Sequence, residues 1–229
     1  MKHGIFPQKL TLFLQKYKHA WVLLYAFIYL PWFAYLEKHV RTNFHVIHMA
    51  ADDYIPFVEY FIVPYFLWFA YVACAIIYFF CKNKTEYYRL CMLLIIGMTI
   101  FLIISTVYPN GHYLRPRTFA RDNIFISAVQ WLYATDTPTN LFPSIHVYNS
   151  LAVHIAVITS RELRKNRPVR IASFLLMVSI ILSTLFLKQH SIFDVVTAFG
   201  LVLVAYPLVY GTHHALRQNK SLEKLLKQS

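Results

Sequence analysis

Ser183-Thr184-Leu185-Phe186-Leu187-Lys188-Gln189-His190-Ser191-Ile192-Phe193-Asp194 joins two apolar runs, at about 169–187 and 190–210, each long enough to cross a bilayer. Ionisable side chains at the ends of such runs are costly to desolvate, and in membrane proteins they line a site or a pathway. Pro143-Ser144-Ile145-His146 has the same character at the head of another apolar run, at about 145–160. Two histidines and a carboxylate thus stand at the ends of apolar helices. The fold class that follows is an all-α polytopic membrane protein.

Composition agrees. Of 229 residues, 58% are hydrophobic and 17% aromatic, and only 14% are charged. A soluble domain of this size carries about 25% charged residues. Six apolar segments stand out, at about 20–36, 55–80, 91–108, 145–160, 169–187 and 190–210. They predict six transmembrane helices in one bundle, a single domain over 1–229 with a basic segment at 1–19, an outer loop at 109–143 and a tail at 211–229. The fourth segment is short and carries Asn149, Ser150 and His154, so it belongs inside the bundle, away from lipid.

The net charge of +12 raises nucleic acid as a partner, but the bases form no continuous patch. They sit between the apolar runs, as the positive-inside rule requires. The N-terminus, the loop after the second segment, the loop after the fourth and the tail together hold 16 Lys and Arg against 6 on the other side. Both termini are therefore expected in the cytoplasm, with the motif loops on the extracytoplasmic side, at the plasma membrane. The start reads as an uncleaved anchor, since no small-residue cleavage pattern follows it. Leu10, Phe13, Leu14 and Tyr17 beside Lys9, Lys16 and Lys18 suit a helix on an anionic membrane surface, with a frayed terminus as the alternative. Cys74, Cys81 and Cys91 have no metal-type spacing and read as small packed residues.

Within 109–143, the pattern Ile124, Ile126, Val129, Trp131, Leu132 predicts a short interfacial helix over 123–134, capped by Asp122. A loop with its own element is either a binding lid or a solvated connector.

The motif residues point to phosphate chemistry. Asp194 follows His190 by four residues, so on a helix the two share a face. A carboxylate on one imidazole nitrogen fixes the tautomer and leaves the other nitrogen free to attack. A buried structural pair would share that spacing. Ser144 is a favoured N-cap, which places His146 in the first turn of a helix whose free N–H groups attract an anion. A histidine there is placed to protonate an oxygen leaving phosphorus. Arg115 and Arg117 offer forked donors that point the same way if the segment is extended, as Pro116 encourages for Arg115; passive binding of lipid headgroups is the alternative for Arg117 and Arg121. Lys188 lies two residues before His190 and is a further candidate cation. A transporter or proton relay would also use buried histidines, and a metal site would use the same residue types.

Taken together, Arg115-Pro116, Pro143-Ser144-Ile145-His146 and Ser183…His190…Asp194 resemble the signature of the type 2 phosphatidic acid phosphatase superfamily, KxxxxxxRP…PSGH…SRxxxxxHxxxD. The third motif keeps its spacing residue for residue. The resemblance implies hydrolysis of a lipid phosphate, phosphatidate-like or polyprenyl, through a phosphohistidine and without metal or cofactor. It makes His190 the nucleophile, Asp194 its orienter and His146 the acid, with Ser144 and Arg115 cradling the phosphate; Lys188 and Arg117 join them as phosphate candidates on the residue reading alone. Membrane lipids are then the only partners implied. Three positions depart: the family's lysine falls at Tyr108, its third-motif arginine at Thr184, and its PSGH glycine at Ile145. A larger residue at that glycine also resembles the branch that makes inositol phosphorylceramide and sphingomyelin, which transfers a phosphorylated headgroup to an alcohol.

Overall fold

The computed structural model describes residues 15–211. The amphipathic pattern at Leu10–Leu14 and the basic tail lie outside the described residues. Among the described residues, five helical segments are long and apolar enough to span a membrane: Lys18–His39, Glu59–Lys82, Lys84–Val107, Arg167–Phe186 and Ile192–Gly211. Their α-helical parts are α1 (Ala26–His39), α2 (Ile62–Lys82), α3 (Lys84–Val107), α6 (Arg167–Phe186) and α7 (Ile192–Tyr206). Two shorter apolar helices complete the set, α4 (Ile124–Thr135) and α5 (Ile145–Thr159).

The expected fourth span is α5, and its 15 residues make a helix of about 22 Å, short of the roughly 30 Å hydrocarbon core. It is instead the central post of the bundle. Val147, Tyr148, Ser150, Ala152 and Val153 are all completely buried, and α2, α3, α6 and α7 pack around it. Its polar stripe is thereby kept from lipid: Ser150 Oγ donates to the His146 carbonyl at 2.7 Å, and His154 Nδ1 meets Ser173 Oγ at 3.0 Å. The close approach of α3 depends on Gly97. A Cβ there would run into the Tyr148 ring, whose hydroxyl donates to the Leu93 carbonyl at 2.8 Å.

Several boundaries differ from the sequence reading for local reasons. The third span starts at Lys84, not 91, because Asn83 accepts from Thr85 N at 3.0 Å and Glu86 N at 3.1 Å and carries the helix through a charged first turn. α4 is capped by Asn123, not Asp122, with 3.0 Å bonds from Phe125 N and Ile126 N. Cys74 and Cys81 are exposed on α2, and only Cys91 is packed inside; all three are free thiols.

The loops 40–58 and 109–123, one after α1 and the other after α3, meet at the end of the bundle that carries the motifs. There β1 (His45–Val46) and β2 (Asn110–Gly111) form a two-residue parallel ladder, pairing His45 with Asn110 and Val46 with Gly111. A side chain at Gly111 would stand 2.6 Å from the Pro138 carbonyl oxygen and 2.8 Å from the Phe44 ring, so the junction closes only on glycine. α1 packs chiefly on α3 rather than on its sequence neighbour α2, which leaves a cleft between the first two spans.

Candidate active site

The segment from Leu187 to Asp194 forms a turn gripped from every side. Tyr133 Oη donates to the Leu187 carbonyl at 2.7 Å, and His112 Nε2 donates to the Gln189 carbonyl at 2.9 Å. Arg115 donates to the Gln189 side-chain oxygen. Asp52, from the loop after α1, accepts from Ser191 Oγ at 2.6 Å, Ile192 N at 2.8 Å and Met49 N at 2.8 Å. These contacts hold the backbone through Lys188, whose φ of 51° lies in the left-handed region that a side chain rarely adopts.

His190 and Asp194 do pair, but not on one helix face as the spacing suggested. α7 begins at Ile192 with Ser191 as its N-cap, so His190 precedes the helix. Asp194 is the acidic partner of a capping box. Its Oδ2 accepts from Ser191 N at 2.9 Å and lies 3.3 Å from His190 Nδ1. Bonded there, Nδ1 carries the proton and Nε2 is left for chemistry. The other motif is tied to this one through the backbone: Ser144 N donates to the Asp194 carbonyl at 3.2 Å. Ser144 also caps α5, its hydroxyl accepting from Val147 N at 3.4 Å. His146 therefore comes to rest with its ring centroid 5.9 Å from that of His190. Tyr65 at 4.5 Å and Trp68 at 4.3 Å hold the His146 ring, and its Nε2 is buried without a partner.

Both histidines open into one cavity of about 930 Å³. Its apolar part runs between α1 and α2, lined by Leu30, Phe33, Phe69, Val72 and Ile76. Its polar end holds Glu37, Arg41, Asp136 and Asn140 beside His146 and His190.

The four residues assigned to phosphate in the sequence do not converge. Ser144 is beside His146, as described. The two terminal nitrogens of Arg115 donate to protein acceptors, the carbonyls of Asp136 at 2.7 Å, Thr137 at 3.2 Å and Tyr133 at 3.4 Å besides Gln189, the guanidinium stacks 4.6 Å from the Tyr133 ring centre, and Nε is buried with no partner among the described residues. Arg115 braces the loop and does not line the cavity. Arg117 is exposed, so the two arginines do not share a side. Lys188 Nζ donates to the Asp52 carbonyl at 2.7 Å, an acidic neighbourhood supplied from a distant loop, and it too is absent from the cavity lining. Tyr108, where the family has lysine, stacks on His45 at 4.1 Å.

The sequence reading passed over Glu37, Asp52, His112, Asp136 and Asn140. For the acidic ones the signal was scarcity: the chain has only ten acidic residues, and Glu37, Asp52, Asp136 and Asp194 are all drawn to this end. Burial pushes the His112 imidazole down to about 4, matching its role as a neutral ring that donates to Gln189 and accepts from Leu114 N at 3.2 Å. Burial raises the Asp136 carboxyl to about 6 against the pull of Arg115, 3.8 Å away.

No protein-family model, curated protein or solved structure matches this chain.

Proposed function

We propose that this protein is a membrane enzyme that transfers a phosphoryl group from a lipid, working in the manner of the type 2 phosphatidic acid phosphatases that its motifs resemble. The observation that carries the reading is the single cavity shared by His146, His190 and an apolar cleft between two spans. A lipid entering from the bilayer would lay its chains against Phe33, Phe69 and Ile76 and bring its phosphate to the histidines. His190 Nε2, with its tautomer set by Asp194, attacks phosphorus. His146, at the α5 N-terminus, gives its proton to the departing alcohol, and an acceptor hydroxyl later returns one. Negative charge on the transferring group is met by the free N–H groups of that helix end.

In this reading α5 is the sixth span, shortened because it is wrapped by the others. The charge count supports cytoplasmic termini with the histidines at the outer face. The test is direct. Purified protein mixed with a lipid labelled in its phosphate and quenched in base should carry acid-labile label, and His190→Ala should carry none. A chelator should leave the label unchanged. Labelling that requires a divalent ion, or that persists in His190→Ala, would refute the scheme.

A further inference from the structure

The polar end of the cavity is richer in acceptors than a lipid phosphate monoester would want. Glu37 and Asp136 line it, and Arg41 is the one fixed cation among the described lining residues. Glu37 accepts from Thr137 Oγ1 at 2.6 Å, Thr137 N at 3.3 Å and Asn140 Nδ2 at 3.0 Å. With its amide nitrogen facing that carboxylate, Asn140 turns Oδ1 elsewhere, and this oxygen is buried with no partner although the residue is only 5% exposed. Arg115 stands behind Asp136 and moderates its charge, but both its terminal nitrogens donate to the protein and it does not line the cavity. One further donor stands beside the histidines: Trp68 Nε1 is buried with no partner among the described residues, and the Trp68 ring packs on His146.

A dianionic monoester would bring two negative charges to a pocket whose own carboxylates equal or exceed its reachable cations. Desolvating such an assembly is unfavourable. A phosphodiester with an ammonium headgroup brings one charge of each sign, the phosphate for the histidines and the ammonium for the carboxylates beside them. A primary ammonium has three N–H donors for Glu37, Asp136 and Asn140 Oδ1, whereas a trimethylammonium has none.

We propose that Glu37, Asp136 and Asn140 form a subsite for a primary ammonium group, and that the substrate is an aminoalkyl phosphodiester lipid of the phosphatidylethanolamine type. This rests on the phosphoryl-transfer reading above. The bond between His190 Nε2 and phosphorus forms as the bond from phosphorus to the diacylglycerol oxygen breaks. His146 protonates that oxygen, and phosphoethanolamine stays on His190. Water or a lipid alcohol then attacks phosphorus, loses its proton to His146 and releases His190.

The experiment compares dioleoyl lipids with ethanolamine, choline or glycerol headgroups and dioleoyl phosphatidate, each labelled in phosphate, on the full chain in nanodiscs. The ethanolamine lipid should label His190 about tenfold faster than the others, the scale of one charge-assisted hydrogen bond. Glu37→Gln and, separately, Asp136→Asn should collapse the ratio of ethanolamine to glycerol rates, a ratio that general loss of folded protein does not move. Equal or faster labelling by phosphatidate or the glycerol lipid would overturn the subsite while leaving phosphoryl transfer in place. No label from any lipid would overturn both.

Discussion

Asp52 offers a severe test of how the histidine turn is held. Its carboxylate is buried and accepts three hydrogen bonds, two of them from Ser191 and Ile192, the residues that follow His190. Asp52→Ala removes the acceptor and leaves those donors stranded at the start of α7. An unsatisfied buried donor costs about 1–3 kcal/mol, so the loss should be about 3–5 kcal/mol, with Met49 N contributing least because it lies nearer the surface. Asp52→Asn keeps one oxygen but turns an N–H toward a donor, and should cost about 2 kcal/mol. For a chain of this length each kcal/mol moves the midpoint by ~2–4 °C, so the alanine variant should melt roughly 10 °C lower in detergent. On the proposed mechanism, labelling per folded molecule should fall as well, through kcat rather than KM, because Asp52 positions the turn that carries His190 and does not line the cavity. An alanine variant melting within about 3 °C of wild type and labelling at full rate would refute the reasoning.

The helix contact at Gly97 should be equally unforgiving: Gly97→Ala drives a methyl into the Tyr148 ring and should cost about 3 kcal/mol, with part recovered when Tyr148 is also shortened to Leu, both read by thermal unfolding. The His112 ring is held neutral below its ordinary value of 6.5, so its contribution is full above about pH 6.5 and is lost as pH falls toward 4. That is a loss of at most about 3 kcal/mol, and His112→Gln should flatten this limb of the melting profile. In a background with Cys74, Cys81 and Cys91 replaced, a cysteine at Asn123 should react with an impermeant thiol reagent in intact cells, and one at Asn166 only after permeabilisation. The opposite pattern would reverse the orientation.

The sequence by itself determined the long apolar helices, and with them the two histidines placed near helix ends, because these follow from local composition and short spacing. Ser144 as a cap and His146 in the first turn behind it were legible for the same reason: an N-cap is a property of four consecutive residues. The His190–Asp194 pair was legible as a spacing but not as a geometry, since the capping box at Ser191 moves the helix start past His190. What only the tertiary structure decided is where the charges point. Arg115, Lys188 and Arg117 read alike in one dimension, yet one braces carbonyls, one caps a distant loop and one is exposed. Glu37 and Asp52 come to this end from more than 90 residues before His146, and Asp136 lies more than 50 residues before His190. Side-chain hydrogen bonds across such separations depend on how the spans stack, and the stacking is set by contacts such as Tyr148 on Gly97 that leave no local pattern to read.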